Sequence, residues 1–486
     1  MTTHTGVQFP EVEGRRSTQQ TSRDVFSTAV VDVDPVLAEA INGERDWRRH
    51  YPRHLRELTA RAAVSAQAAS SIARAGLRRL HEGFEFVDAE GSRSLSAAVA
   101  EPPTPHLGTR TVTGQTDHPG ELVVPYRGEG LRGGRIVDQA AAWADRGVVE
   151  PAFVDAIRRV VEHPEWLDLR GLTFGILGAG AEMGPTKHLL SWGATVAAVD
   201  VPVDDVWARL RRFAEAGSGI LHEPVRPDGA AGVDLVTEPA AVRAWLAEFG
   251  DRLVIGNYAY AGGAMFPRVA MAADAVIVDL QRRIPGAALA YLATPTDVFA
   301  VPEGAVAMAR SRQSGNAASV IRTLSGGRAF VPRFRTTLTT EDGRSLGIAD
   351  SLIVQQGPNY ALAKRLQRWR GLVARQDGFF SSVHVAPATM TRSVMDNRLL
   401  AAAYRGAHLF DVEVFAPETS RAVMSALLVH DLRSGDATAD PAGGSASGEH
   451  DLTASAVHGG LWRIAWEPRS ALPFAVLAGA KGLLGR

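Results

Sequence analysis

The chain has 486 residues, and at about 150 residues per domain that leaves room for roughly three domains or one large domain with additions. Hydrophobic residues make up 45% and charged residues 22%, which excludes a wholly disordered chain; 52 basic against 53 acidic side chains leave no basic excess to hold a phosphate backbone, so nucleic acid is not an expected partner. Cysteine is absent, which excludes disulfide staples, thiolate metal sites, iron–sulfur clusters and thiol nucleophiles.

The opening, MTTHTGVQFPEVEGRR, lacks the charged-then-apolar order of a signal peptide, and no apolar run approaches the length of a membrane span, so the cytoplasm is the expected location. Residues 1–27 are polar and read as a disordered tail. Residues 28–168 read as a mainly helical N-terminal region, with Leu37, Ile41, Leu55, Leu58, Ile72, Leu77 and Leu80 recurring among arginines and alanines. Pro52 interrupts this run or opens its second helix, a Pro/Gly/Thr-rich loop follows Ala100, and helices resume over 137–163.

From residue 169 to 467 the texture changes. The apolar runs LTFGIL, TVAAVD, GVDLV and RLVIGNYA alternate with helical stretches, and that order predicts a doubly wound parallel α/β sheet covered by helices on both faces. The first run enters Gly178-Ala179-Gly180-Ala181-Glu182-Met183-Gly184 and then a helix with Pro185 in its first turn. Glycines there let the backbone turn sharply and approach a pyrophosphate at the helix N-terminus. Asp200 closes the next strand, where a carboxylate can hold adenosine ribose hydroxyls and disfavour a 2′-phosphate; the plainer alternative is a strand-end turn residue. Asp234 and Asn257 follow at later strand ends, on the edge where such sheets bind ligands.

Basic residues divide into 49 arginines and three lysines, Lys187, Lys364 and Lys481. In GPNYALAK, Tyr360 and Lys364 lie one turn apart on a predicted helix, so both side chains share a face. An ammonium close to a phenol stabilises the phenolate and makes the tyrosine a usable acid or base near neutral pH. Downstream, SSVHVAPATMTRSV reads as an apolar strand ending at Pro387, within which His384 reads as packed.

Taken in order, these segments resemble the short-chain dehydrogenase/reductase family, a Rossmann-type fold, over roughly residues 170–467. LGAGAEMG is similar to its glycine turn, Asp200 to its second-strand acid, Asp234 with Leu235 to its adenine contact, GNYAYAGG to its Asn-Asn-Ala-Gly segment, and Tyr360 with Lys364 to its catalytic pair. VAPATMTRSV is similar to the stretch that meets the nicotinamide, with Pro387 and Thr391 at the matching positions. The resemblance implies an oxidoreductase that binds NAD, or NADP, and interconverts a hydroxyl and a carbonyl on a small-molecule substrate of medium or large size, commonly as a homo-oligomer. It implies dinucleotide contacts from Gly178, Gly180, Glu182, Met183, Gly184, Asp200, Asp234, Leu235, Asn257, Pro387 and Thr391.

Several positions depart from that pattern. Leu177 replaces the turn threonine, and Glu182 replaces the middle glycine, where its carboxylate either weakens dinucleotide binding or points outward. The catalytic serine has no direct match: either Ser351 (or Ser345) serves from a shifted loop, or ALAYLATPTD is the equivalent strand and Thr294 or Thr296 replaces it, the preferred alternative. An insertion at about 300–350 then precedes Tyr360, with a β-hairpin turning at Asp342-Gly343 that could form a lid. The family's helix asparagine has no counterpart, and the corresponding helix offers Asp274. No metal-ligand spacing is present. Residues 434–451 read as a flexible loop; residues 468–486 form an apolar tail suited to core or subunit packing, or to contact with a membrane surface. The rival classes are a dinucleotide-binding sensor or scaffold without hydride chemistry, and a non-redox dehydratase or epimerase on the same fold.

Overall fold

The computed structural model describes residues 5–313, 316–353, 355–434, 448 and 452–484. Its centre is a seven-stranded sheet of β1 (Gly108–Thr113), β2 (Thr173–Leu177), β3 (Thr195–Val199), β4 (Ile220–Val225), β5 (Leu253–Asn257), β6 (Ala288–Ala293) and β7 (Ser381–Val385). Across the sheet they run β7-β6-β5-β2-β3-β4-β1; all neighbours are parallel except β1, which is antiparallel to β4. This is the doubly wound order expected from the sequence. Its direction reverses between β2 and β5, which opens a crevice at the carboxyl ends of those strands.

Alternation along each strand builds two cores. Leu177, Ala197, Val199, Ile255 and Leu289 point to one face, and Phe174, Ile176, Val196, Ala198 and Val254 to the other. The first face carries α4 (Met265–Arg283) and α5 (Gly357–Gln376), and outside them lie α1 (Thr18–Val30), α2 (Trp47–Ala62) and α3 (Ala66–Gly83). The second face carries the helices Gly134–Asp145, Pro151–Glu162 and Pro417–Ser434. Gly76 lets α3 pack tightly on α5, since a Cβ there would lie 2.2 Å from the Trp369 ring.

Four expectations need correction. Residues 5–27 are part of the fold: Val7, Phe9, Val25 and Phe26 are buried, Ser17 caps α1, and Val7 N–H donates to Val236 O at 2.9 Å. The apolar stripe of α1 is narrow and lies in its second half, so composition alone hid it. The chain before residue 169 is not separate either, because β1 completes the sheet. GVDLV is not a strand; ILHEPV takes that place as β4. Glu223 in the middle of β4 is fully buried, and it is accommodated by Arg110 on β1 at 2.8 Å and Arg211 at 3.0 Å. The hairpin at Asp342-Gly343 forms, but its second strand, Ser345–Asp350, pairs with Val298–Pro302 and buries Leu346 and Ala349, so it is a packed sheet and no lid. The apolar tail forms α7 (Pro468–Leu484) and packs within the chain on α6 (Arg398–Gly406). Most of the expected loop 434–451 lies outside the described residues. No described helix is long and apolar enough to cross a membrane.

Asp274 joins the two helical layers. It is fully buried on α4, accepts from Arg370 of α5 at 2.7 and 2.8 Å, and lies 2.7 Å from His81 of α3. The Arg370 charge and these hydrogen bonds outweigh the burial that opposes them and hold its carboxyl well below the usual range. Removing one partner of such a buried pair leaves a desolvated charge uncompensated. Asp274→Ala is expected to cost about 3–5 kcal/mol of stability in urea unfolding; a loss below about 1 kcal/mol would show that the cluster does not hold the layers together.

Candidate active site

The glycine turn after β2 is shaped by close backbone approach. Gly178 has φ +76°, and a Cβ there would lie 2.6 Å from the Ala259 backbone, so the loop after β5 can lie directly against it only because the position is glycine. At Gly180 a Cβ would lie 2.6 Å from Val206 and 3.1 Å from Asp200 Oδ2. Asp200 accepts from Gly180 N–H at 2.7 Å and Val201 N–H at 2.8 Å, so it also braces the turn. Burial pushes its carboxyl upward against those two hydrogen bonds and the Arg209 charge. The Thr186 hydroxyl donates to Ala179 O at 2.8 Å, and the helix behind the turn, Thr186–Ser191, is short.

Along the crevice, Asp234 Oδ1 accepts from Val236 N–H at 2.7 Å and closes a turn, with Leu235 buried beside it. Asn257 is buried at the end of β5. Its carbonyl accepts from Ala259 N–H at 3.3 Å, and its Nδ2 has no partner in the protein. Glu182 is exposed and reaches across to the segment after β7, where it accepts from Arg392 N–H at 2.9 Å, next to Thr391.

At the other end, Gly357–Gln376 (α5) brings Tyr360 and Lys364 beside the end of β6. The Lys364 ammonium donates to Leu292 O and to Gln367 Oε1, each at 3.1 Å, and lies 5.7 Å from the Phe266 ring. Burial lowers its pKa to about 8, partly opposed by the Asp297 carboxylate. Tyr360 packs against Phe266 and Tyr260, with ring centres 5.5 and 6.4 Å away. Burial drives the Tyr360 phenol upward, and the nearby Thr294 hydroxyl opposes it only in part. The expectation of a tyrosine pKa drawn toward neutrality is therefore corrected: the shift is upward, the lysine is turned toward the Leu292 carbonyl, and Tyr360 is a neutral phenol at pH 7.

One cleft of about 840 Å³ is lined by Gly178, Gly180, Glu182, Met183, Asp200, Asp234, Leu235, Asn257, Thr294, Thr296, Tyr360, Lys364, Pro387 and Thr391. Gly184 lies outside it and closes the turn through Gly184 N–H to Ala181 O at 3.0 Å. Ser351 also lies outside: it is buried and accepts from Arg333 at 2.7 Å, which removes it as the residue facing Tyr360. Thr294 lines the cleft together with Tyr360, its hydroxyl 2.9 Å from that of Thr296. Asp274 does not reach the cleft, and His384 is paired with Asp431 at 2.7 Å. Sequence reasoning missed Gln356, which lines the cleft and donates to Thr296 at 2.8 Å; its one signal was its place just before the Gly357-Pro358 helix start. It also missed Tyr404, which lines the cleft from α6.

No family model and no curated protein matches the chain. Among solved structures, an oxidoreductase of the short-chain dehydrogenase/reductase family from Burkholderia thailandensis aligns at 14% identity and TM-score 0.33, over 63% of this chain and 97% of that one. The reductase domain of an aureusimine biosynthetic cluster aligns at 11% identity and TM-score 0.31, over 54% of this chain and 65% of that one.

The Lys364 shift has a signed consequence. Between pH 8 and about 10.4 the unfolded chain holds a proton that the folded chain has released, so stability rises with pH across that window and is flat below it. Relative to Lys364→Met, the wild type should gain stability in that window with a slope of up to about 1.4 kcal/mol per pH unit. Parallel unfolding-stability profiles for the two proteins would mean that Lys364 keeps its ordinary pKa.

Proposed function

We propose that the protein is an NAD(P)-dependent oxidoreductase that interconverts a hydroxyl and a carbonyl. The observation that carries this reading is that one cleft at the carboxyl edge of a doubly wound sheet holds both the glycine turn and the Tyr360–Lys364–Thr294 group.

The residues present fit a dinucleotide at the adenosine side. The unpartnered Asn257 Nδ2 is a buried donor facing the cleft, where a ligand acceptor would satisfy it, and Asp200 and Asp234 supply carboxylates along the same wall. When bound, the dinucleotide supplies or accepts the hydride. Tyr360 gives its proton to the carbonyl oxygen in reduction and takes it back in oxidation. Thr294, on the same cleft wall, would hydrogen-bond that oxygen from beside the phenol. Lys364 has two of its three N–H donors engaged within the protein, which leaves one for the nicotinamide ribose. The carboxylate of Asp200 favours NAD over NADP.

A second reading has a specific observation behind it. Glu182 is bonded to Arg392 N–H across the glycine turn, where a pyrophosphate would have to pass, and a protein locked there would be a scaffold or sensor without hydride chemistry. Calorimetric titration with NAD⁺, NADH, NADP⁺ and NADPH separates the two. The oxidoreductase predicts micromolar binding with the unphosphorylated pair preferred, and Tyr360→Phe should lower turnover by at least about a hundredfold while leaving that affinity within about twofold. Absence of binding for all four dinucleotides would favour the scaffold; loss of binding in Tyr360→Phe would make the tyrosine structural.

A further inference from the structure

Beside the catalytic end of the cleft lies a second, smaller pocket of about 80 Å³. Thr296, Ala388, Leu400 and Tyr404 line both, so the two spaces share a wall. Most of the rest of its lining is apolar, including Leu352, Ala403 and Phe410, and Ala471, Leu472 and Ala475 of α7. Three of its polar side chains are already engaged, Ser351 by Arg333 at 2.7 Å, Arg469 by Asp350 at 2.6 and 3.1 Å, and Thr296 by Gln356 at 2.8 Å, and the Tyr404 phenol belongs to the wall shared with the cleft. A water or a polar ligand group needs two to four polar partners, and this wall has little to offer beyond bonds already made.

The pocket is held open by the backbone. In α6 and α7, Gly406 and Gly479 permit a helix crossing so close that a Cβ at either would lie 1.9 Å from a carbonyl oxygen, that of Ala475 or Ala402. Small residues at one-turn intervals let the two helices meet without large side chains between them, and the alanines Ala403, Ala471 and Ala475 leave the space beside the seam empty.

We propose that this pocket takes the apolar chain of the substrate, with the reacting carbonyl at Thr294 and Tyr360, so that the protein acts on alkyl-bearing ketones, aldehydes or the matching alcohols. The proposal rests on the oxidoreductase reading for its chemistry and on the pocket for its specificity. An apolar cavity of about 150 Å³ holds the six carbons of benzene, so this one takes about three carbons beyond the carbonyl end.

The test is a ligand-observed NMR titration with linear methyl ketones from butanone to nonanone, on the wild type, Ala403→Leu and Ala407→Leu. Ala407 is half-buried on the same wall and accepts a larger side chain even if position 403 does not. Affinity of the wild type should rise roughly fourfold per methylene over about three carbons and then level off, and either leucine should flatten the rise. A wild-type series without chain-length dependence, or the same dependence in both variants, overturns the pocket. NADH oxidation with the same ketones judges the chemistry separately. Chain-length-dependent binding without oxidation removes the reduction and keeps the apolar site. Equal oxidation rates for every length keep the reduction and remove the pocket.

Discussion

The geometry of the cleft around Tyr360 and Lys364 depends on one buried carboxylate. Asp297 follows Thr294 and Thr296 at the corner between β6 and the strand Val298–Pro302. It accepts from Arg365 at 3.2 Å and Arg368 at 3.4 Å, both on the helix that carries Tyr360 and Lys364. All three groups are nearly inaccessible to water, so the attraction acts in a low-dielectric interior, and the desolvation each charge has suffered is offset only while the others stay in place. That requirement fixes the helix against the strand corner, and with it the approach of Thr294 to Tyr360. The same carboxylate supports the Lys364 ammonium from a distance. Arg365 also donates to Thr59 of α2 at 3.2 Å, so the N-terminal helical layer completes the clamp.

The opposite end of the cleft is organised by short backbone contacts. Gly178 lies against Ala259, Asp200 braces Gly180, and Glu182 bridges to Arg392. Glu182 is solvent-exposed; its carboxylate accepts from Arg392 N–H and its backbone carbonyl from Arg421 at 3.1 Å, whereas the Asp297 clamp is buried.

Local signals made much of this legible in the sequence. The strands β2, β3, β5, β6 and β7 are apolar runs, the glycine turn follows the first of them directly, and the one-turn spacing of Tyr360 and Lys364 is a property of the helix itself. What could not be read depended on distant partners. Glu223 disguises β4 because Arg110 and Arg211, remote in sequence, neutralise it. The narrow stripe of α1 becomes a core only when α3 and α5 are set against it. Ser351 is closer in sequence to Tyr360 than Thr294 is, yet Arg333 holds it on the far side of the strand corner. The direction of the Lys364 ammonium is set by the Leu292 carbonyl, which no spacing rule reveals.

The parts of the chain outside the parallel sheet share a position. The N-terminal layer reaches the catalytic end through Thr59 and Arg365, and also through Arg56, which lies 3.2 Å from Glu467 just before α7. The inserted three-stranded sheet reaches it through Asp350, which holds Arg469 of α7. The C-terminal helix then closes on α6 at the glycine seam. The additions thus converge on one wall, where they surround a pocket whose surface is mostly apolar and whose Ser351, Thr296 and Arg469 are bonded to residues behind the wall. A fold of this order can place a glycine turn and a tyrosine with the sheet and its two helical layers alone. The length of this chain beyond that minimum goes into this wall, so under the proposed oxidoreductase reading selectivity should be sought in α6, α7 and the insertion, with the sheet edge serving the common chemistry.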